Sequence, residues 1–170
     1  MLSKLMFSAF FLVFTGTVFG QNSFEIKNES FFAVGFSSYQ GEEDKTPFLA
    51  NIEFSDYIGF NKKGTQEIYE KFAFGLNIAY DIKIQDTPYS MFSIQPAMKF
   101  NIFDQALALD LILASGVAYL YSKDGTHPAV GTHAGFRFFY KYIGIEGKLK
   151  TFSSTKGVFD LGNFGLVYKF

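Results

Sequence analysis

The sequence contains no cysteine and no tryptophan, and only four of its 170 residues are proline. Without cysteine, disulfides, thiol catalysis and thiolate metal sites are excluded together. Charged residues make up only 18% of the chain, below the roughly 25% that is typical of soluble domains. The net charge of −1 gives no electrostatic reason to expect a nucleic acid partner.

Aromatic residues are in large excess, since 24 Phe and 10 Tyr make up 20% of the chain. Disordered chains are poor in aromatic residues, so this composition predicts a folded protein. The mean hydropathy of +0.12 is too low for a bundle of membrane helices. Apolar and polar residues must therefore alternate over short distances.

The first twenty residues have the layout of a secretory signal peptide. Lys4 supplies a short positive start, and an uncharged apolar run follows over Leu5–Phe19. Short or small residues, Val18 to Gly20, then precede Gln21. The run is shorter than the ~20 apolar residues that a membrane-spanning helix needs. We therefore expect a signal peptide at 1–20 and one domain at 21–170.

The segment Phe72–Ile84 shows the alternation most clearly. Every second residue is large and apolar, and the residues between are small or polar, as in Ala73, Asn77 and Asp81. In a strand these two sets lie on opposite faces, whereas a helix would mix them.

The same pattern predicts eight strands of about 9–13 residues, which is the length that suits a tilted membrane strand. They are Ser30–Tyr39, Phe48–Phe60, Phe72–Ile84, Phe92–Ile102, Leu107–Tyr121, Val130–Tyr140, Ile143–Phe152 and Val158–Phe170. Turn-forming residues separate them, for example Lys123–Pro128 and Asn61–Thr65. Asp56 interrupts the second strand and suggests a bulge there. Pro96, inside the fourth strand, predicts a bulge or a locally broken ladder.

Side-chain size decides which face points inward. An eight-stranded barrel has an interior just wide enough for side chains to fill it. The Phe, Leu, Ile and Tyr side chains are too bulky to share that interior, whereas the small and polar face fits. The small and polar face is therefore expected to point inward and the bulky apolar face outward. This arrangement favours a transmembrane barrel over a soluble barrel of the lipocalin type, whose apolar face points inward. The expected fold class is all-β, an eight-stranded antiparallel up-and-down transmembrane barrel.

The last eight residues carry an independent motif, in which Asn163 and Gly165 are followed by Tyr168 and the terminal Phe170. This pattern resembles the C-terminal assembly signal of bacterial outer-membrane β-barrel proteins. The whole mature chain resembles the small eight-stranded barrels of the OmpA/OmpX-like kind, within the porin-like superfamily. The resemblance implies the outer membrane of the Gram-negative cell envelope, contact with its lipid, and the barrel assembly machinery as a partner during biogenesis.

The alternation places charged side chains of both signs inside the barrel. Because buried charges are costly unless they are paired, we expect a salt-bridge network across the interior. Arg137 and Glu146 lie on neighbouring strands and are expected to pair. The predicted interior charges are Glu53, Asp81, Lys83, Lys99, Asp110, Arg137, Glu146, Lys148, Lys150 and Lys169.

Neither histidine is expected to be catalytic or to bind a metal. His127 is predicted to be a solvated loop residue, and His133 to face inward. Some small outer-membrane barrels are lipid A deacylases with a His-x-Ser pair, but here Gly135 stands two residues after His133, so the nucleophile is missing.

The sequence therefore favours a monomeric, non-enzymatic outer-membrane protein with a structural or interaction role and without a cofactor. Two alternatives stay open at this point. One is a lipid-modifying enzyme of the lipid A deacylase kind. The other is a narrow solute pore, although eight strands leave little room for water.

Overall fold

The computed structural model describes residues 24–39, 48–62, 72–83, 89–104 and 107–170. Eight strands close into one antiparallel barrel in chain order, which confirms the predicted fold. Among the described residues, no helix is long and apolar enough to cross a membrane. The strands are β1 Phe24–Tyr39, β2 Phe48–Lys62, β3 Phe72–Lys83, β4 Ser90–Asp104, β5 Leu107–Ser122, β6 Gly125–Tyr140, β7 Ile143–Ser154 and β8 Gly157–Lys169.

Each strand pairs with its neighbour in sequence, and β8 pairs with β1 to close the barrel. The closing ladder runs from Phe31 opposite Lys169 to Tyr39 opposite Leu161. The amide of Phe170 also donates to the carbonyl of Ser30 at 2.9 Å. We call the end of the barrel that carries Phe24 and Phe170 the terminal end, and the opposite end the loop end.

Side chains alternate between the two faces as the sequence predicts. Most large apolar residues point outward and stay exposed, while most small, polar and charged residues point inward and are buried. In β5, for example, Leu111 and Leu113 are exposed, whereas Asp110 and Ile112 are buried. The outward face is therefore apolar.

Six of the eight strands are longer than the sequence suggested, and the strands span 12–16 residues. The difference is largest at β1, which begins at Phe24 and not at Ser30. It is also large at β6, which begins at Gly125, so that only Lys123 and Asp124 form the turn after β5. Gly125 follows that turn with a φ of 122°, a conformation that glycine adopts without steric cost. The predicted break at Asn61–Thr65 was placed too early, because β2 continues to Lys62; residues 63–71 lie outside the described part of the chain.

The bulge expected at Asp56 is wrong. Asp56 pairs with Ser30 on β1 and with Leu76 on β3 in unbroken register. It points outward, half-buried, and accepts a hydrogen bond from the Ser30 hydroxyl at 2.7 Å. The carboxylate is therefore stabilised by the hydrogen bond from Ser30, and the strand register does not change.

At Pro96 the ladder between β4 and β5 is locally broken. Pairing stops at Ile94 opposite Val117 and resumes at Ala97 opposite Ala114 in the same register. Proline has no amide hydrogen to give to the ladder, which explains the gap. The register shift in this pair of strands lies between Asn101 and Phe103 instead.

Two apolar clusters fill much of the interior. One lies toward the terminal end around Phe31, Tyr57 and Phe139. The other lies toward the loop end around Leu49, Leu120, Phe152, Phe159 and Leu161. The polar and charged side chains lie between and beside these clusters, so the interior is packed with side chains.

Candidate functional site: the charged interior and the C-terminal seam

Four charged side chains form a closed ring in the middle of the barrel, here called the central ring. Arg137 on β6 binds Glu146 on β7 through Nε at 3.0 Å and Glu53 on β2 through Nη2 at 2.7 Å. Lys148 on β7 also pairs with Glu53, and its Nζ lies 2.9 Å from Glu146. Each charge therefore has two neighbours of opposite sign.

Register and barrel closure together build this ring. Arg137 lies opposite Glu146 because β6 and β7 join through a two-residue turn, Lys141 and Tyr142. Glu53 reaches the ring from β2, so the contact crosses the interior. All four side chains are almost completely buried. Arg137 also lies 4.8 Å from the ring centre of Phe31, which connects the ring to the terminal-end apolar cluster.

A second set of charges lies at the terminal end, here called the terminal group. Glu29 on β1 pairs with Lys99 on β4, and with Lys169 on β8 at 2.6 Å. Lys99 lies 3.7 Å from Asp110 on β5, and Asp110 accepts a hydrogen bond from Asn101 at 2.7 Å. These contacts join four strands at this end of the barrel.

A third pair lies toward the loop end, here called the loop-end pair. The Nζ of Lys150 is 3.1 Å from Asp81, and Asp81 also accepts hydrogen bonds from Ser37 at 2.6 Å and Asn51 at 3.0 Å. Each of the three groups contains equal numbers of acidic and basic side chains. The charges of the described interior are therefore balanced within each group, although Glu53 Oε2, Arg137 Nη1 and Glu146 Oε1 are buried without a hydrogen-bond partner.

The structure places nearly all of the predicted interior charges on the inward face. Glu53, Arg137, Glu146 and Lys148 form one group, while Lys99 and Asp110 join a second and Asp81 lies in the third. The side chain of Lys83 lies outside the described part of the chain, although its backbone ends β3. Glu29 was not predicted, because the first strand was started at Ser30; continuing the alternation by one residue would have found it.

The four residues of the predicted assembly signal lie on the final strand and its end. Asn163 and Gly165 point inward, and Asn163 donates to the Ser37 hydroxyl at 3.1 Å. Tyr168 and Phe170 point outward with their ring centres 5.1 Å apart. Gly165 lies at the seam with β1, where an added Cβ would come within 2.7 Å of the Val34 carbonyl oxygen. The close approach of the two strands is one physical reason for a glycine there.

The two histidines lie in different surroundings. His133 is buried, and its Nδ1 is 2.8 Å from the Gln95 side-chain oxygen. His127 was expected in a solvated loop, but it belongs to β6 and is half-buried. Its ring packs edge-on against Tyr89 at 6.2 Å, and its Nε2 lies 3.5 Å from the Ser122 hydroxyl.

The sequence matches no protein-family model and no curated protein. Several solved structures are similar in fold. The attachment invasion locus protein Ail of Yersinia pestis is 15% identical, with 85% of this chain and 99% of that chain covered and a TM-score of 0.52. Neisserial surface protein A is 10% identical, with 86% and 99% covered and a TM-score of 0.52. The outer membrane enzyme PagL is 10% identical, with 83% and 97% covered and a TM-score of 0.55. The chain thus has the fold of small eight-stranded outer-membrane barrels.

Proposed function

We propose that this chain is a monomeric integral protein of the bacterial outer membrane that acts through its surfaces, as a structural or interaction protein without catalytic activity. The exposed apolar side chains on all eight strands support a location in lipid, because a soluble monomer rarely exposes more than a few hundred Å² of continuous apolar surface. A closed barrel also leaves no unpaired strand edge in the hydrocarbon. The fold of the three similar structures agrees with this location.

The observation that carries the proposal is the neutral, packed interior. A pore needs charges or polar groups that face a water-filled path. Here the described interior charges bind one another, and apolar clusters lie on both sides of the central ring. This arrangement therefore supports a role at the protein surface better than it supports transport of solutes through the barrel.

The enzyme alternative has one observation in its favour, the 3.5 Å separation of His127 Nε2 and Ser122 Oγ near the loop end. The Ser122 oxygen, however, accepts the amide hydrogen of Asp124 at 3.1 Å, and its hydroxyl lies 3.3 Å from the Gly125 carbonyl. These contacts hold the turn together. A triad also needs a third group that orients the histidine, whereas His127 packs against the ring of Tyr89. The pair therefore supports a structural role better than a nucleophilic one.

Conductance and lipid analysis on the same refolded protein test the proposal. In planar bilayers we expect no steady current above the background of protein-free membranes. After incubation in vesicles of outer-membrane lipid, mass spectrometry should find the lipids unchanged. Ser122→Ala and His127→Ala are the matched variants. A lipid product that disappears with either variant would establish the enzyme, and a steady ohmic current would establish the pore.

We also propose that Asn163, Gly165, Tyr168 and Phe170 are read by the barrel assembly machinery. Deleting Phe170 should then slow insertion in cells while leaving the folded barrel almost as stable in detergent. The outward position of Phe170 supports this, because its side chain is 66% exposed and adds little to the packed interior. Heat-modifiable gel mobility, measured in cells and after refolding, separates the two effects. If the deletion lowers assembly in cells only as far as it lowers stability after refolding, Phe170 is a packing residue and not part of a signal.

A further inference from the structure

The outward face of the barrel carries one continuous row of polar side chains, here called the polar row. Ser115 on β5 lies opposite Thr132 on β6. Thr132 lies opposite Thr151 on β7, which in turn lies opposite Asp160 on β8. All four side chains point outward. Because directly opposed residues are nearest neighbours across two strands, the four side chains follow one another in a line.

The polar row climbs along the barrel. Ser115 and Thr132 lie in the middle of β5 and β6, whereas Asp160 lies close to Gly157, where β8 begins at the loop end. Register rows run across strands that are tilted by about 35–45°, so a row rises as it passes from strand to strand.

The same register row continues from Ser115 in the other direction. It passes Pro96 on β4 and Leu76 on β3 and reaches Asp56 on β2 and Ser30 on β1. Ser30 lies at the terminal end of the barrel, where the Phe170 amide binds its carbonyl. Polar side chains therefore lie at both ends of one row that winds around the outside of the barrel.

The apolar stretch of the outward face is also unequal in height. On β3 it has six positions: Phe72, Phe74, Leu76, Ile78, Tyr80 and Ile82. On β7 four small or apolar positions precede the polar Thr151 and Ser153: Ile143, Ile145, Gly147 and Leu149. Outward positions are about 7 Å apart on strands tilted by about 40°, so each step rises about 5 Å. The stretch is therefore about 25 Å high at β3, like the apolar band of outer-membrane barrels, but only about 15 Å at β7.

A short apolar stretch and an exposed carboxylate both bring lipid headgroups deeper into the membrane. A bilayer thins locally beside a hydrophobic stretch that is too short for it, and water enters around a charge at membrane depth. The barrier to moving a headgroup across the bilayer comes from removing its charges from polar surroundings. The polar row and the short side of the barrel therefore lower that barrier.

The polar row has the chemistry to contact a zwitterionic headgroup. The hydroxyls of Ser115 and Thr132 are donors that suit phosphate oxygens. The exposed carboxylate of Asp160 suits an ammonium group. Among the described residues, the partner of this carboxylate is the Thr151 hydroxyl, which donates at 2.6 Å, and not a basic side chain.

We propose that phospholipid headgroups move along the polar row and that the barrel thereby exchanges phospholipids between the two leaflets. The activity goes beyond contact with lipid, and it changes no covalent bond. The inference rests on the proposed location in the membrane. Headgroups with a free ammonium, such as ethanolamine, should move faster than anionic glycerol headgroups, because Asp160 attracts the first and repels the second.

Dithionite bleaching of fluorescent lipids measures this exchange. The protein is refolded into phosphatidylcholine vesicles with a trace of phosphatidylethanolamine or phosphatidylglycerol that carries NBD on an acyl chain. Dithionite reaches only the outer leaflet, so protein-free vesicles should lose only the outer-leaflet signal, whereas vesicles with the protein should lose nearly all of it. The ethanolamine lipid should exchange about twofold to fivefold faster than the glycerol lipid, the ratio that one exposed ion pair supplies.

Three variants assign the activity to the polar row. Asp160→Asn should remove the difference between the two headgroups. The double variant Ser115→Ala with Thr132→Val should slow both lipids by at least about fivefold, because it removes two hydrogen-bond donors. Thr126→Val, which removes an outward hydroxyl of β6 outside the row, is the matched control and should keep the rate of the unchanged protein.

The outcomes separate the exchange from the membrane location. Flotation with the vesicles and heat-modifiable gel mobility show whether each protein is inserted and folded. If the unchanged protein does not float with the vesicles, the proposed location is wrong and the exchange is overturned with it. If it floats and folds but only the outer-leaflet signal is lost, the location holds and the exchange alone is overturned.

Two further results would also overturn the proposal. Bleaching of NBD-glucose trapped inside the vesicles would mean that dithionite enters through the barrel, which favours the pore alternative. Equal rates for the unchanged protein and the Ser115→Ala, Thr132→Val double variant would mean that the barrel disturbs the bilayer without using the polar row.

Discussion

Replacing Arg137 with methionine should lower the free energy of unfolding by about 3–5 kcal/mol, the usual cost of removing one partner from a buried ion pair. Arg137 is fully buried and binds two carboxylates, Glu53 at 2.7 Å and Glu146 at 3.0 Å. Methionine fills much of the same space, so the loss reflects uncompensated charge more than a cavity. Lys148 still neutralises one of the two carboxylates, but not both.

A denaturant titration from lipid vesicles measures this effect. Lys156→Met, in the exposed turn between β7 and β8, is the control and should change stability by no more than about 0.5 kcal/mol. The double variant Arg137→Met with Glu146→Gln should recover part of the loss, since it removes one of the two carboxylates left without an arginine. If Arg137→Met is within about 1 kcal/mol of the unchanged protein, the central ring does not hold the barrel together in the way described.

The alternation of large apolar with small or polar residues was enough to predict the barrel and its two faces. A period of two fixes which side chains share a face, and the bulk of the outward set leaves one arrangement that fits eight strands. The same reasoning predicted the Arg137–Glu146 pair, because neighbouring strands joined by a short turn have a nearly fixed register. Local pattern therefore determines contacts between adjacent strands.

The alternation could not predict which side chains meet across the interior. Glu53 and Arg137 are 84 residues apart, and their meeting depends on the stagger of all eight strands. The inward aromatic residues Phe31, Tyr57 and Phe139 were missed for another reason. They are large although they point inward, and they pack together in the apolar cluster at the terminal end. The outward Asp56 was misread as a bulge because its partner, Ser30, lies on a different strand.

Leu111→Arg should cost about 2–4 kcal/mol, the known penalty for an arginine on the lipid face of a barrel near the membrane midplane. Leu111 points outward four residues into β5, between Phe100 and Phe136 on the neighbouring strands, and all three side chains are exposed. The arginine would have to reach a headgroup region or draw water into the hydrocarbon. The penalty falls to about 0–1 kcal/mol near the interface, so Tyr142→Arg, in the turn at the terminal end, is the matched control. Ala108→Ser, on the inward side of β5, should also be nearly neutral.

The central claim is that the apolar face meets lipid while the charged face forms the packed interior. The most direct measurement is the free energy of unfolding of Leu111→Arg and Tyr142→Arg, determined side by side in vesicles of the same lipid. The account predicts a loss for Leu111→Arg that exceeds the loss for Tyr142→Arg by about 2 kcal/mol or more. Equal losses for the two variants, or no loss for Leu111→Arg, would contradict it and would mean that the outward face of β5 is not in contact with hydrocarbon.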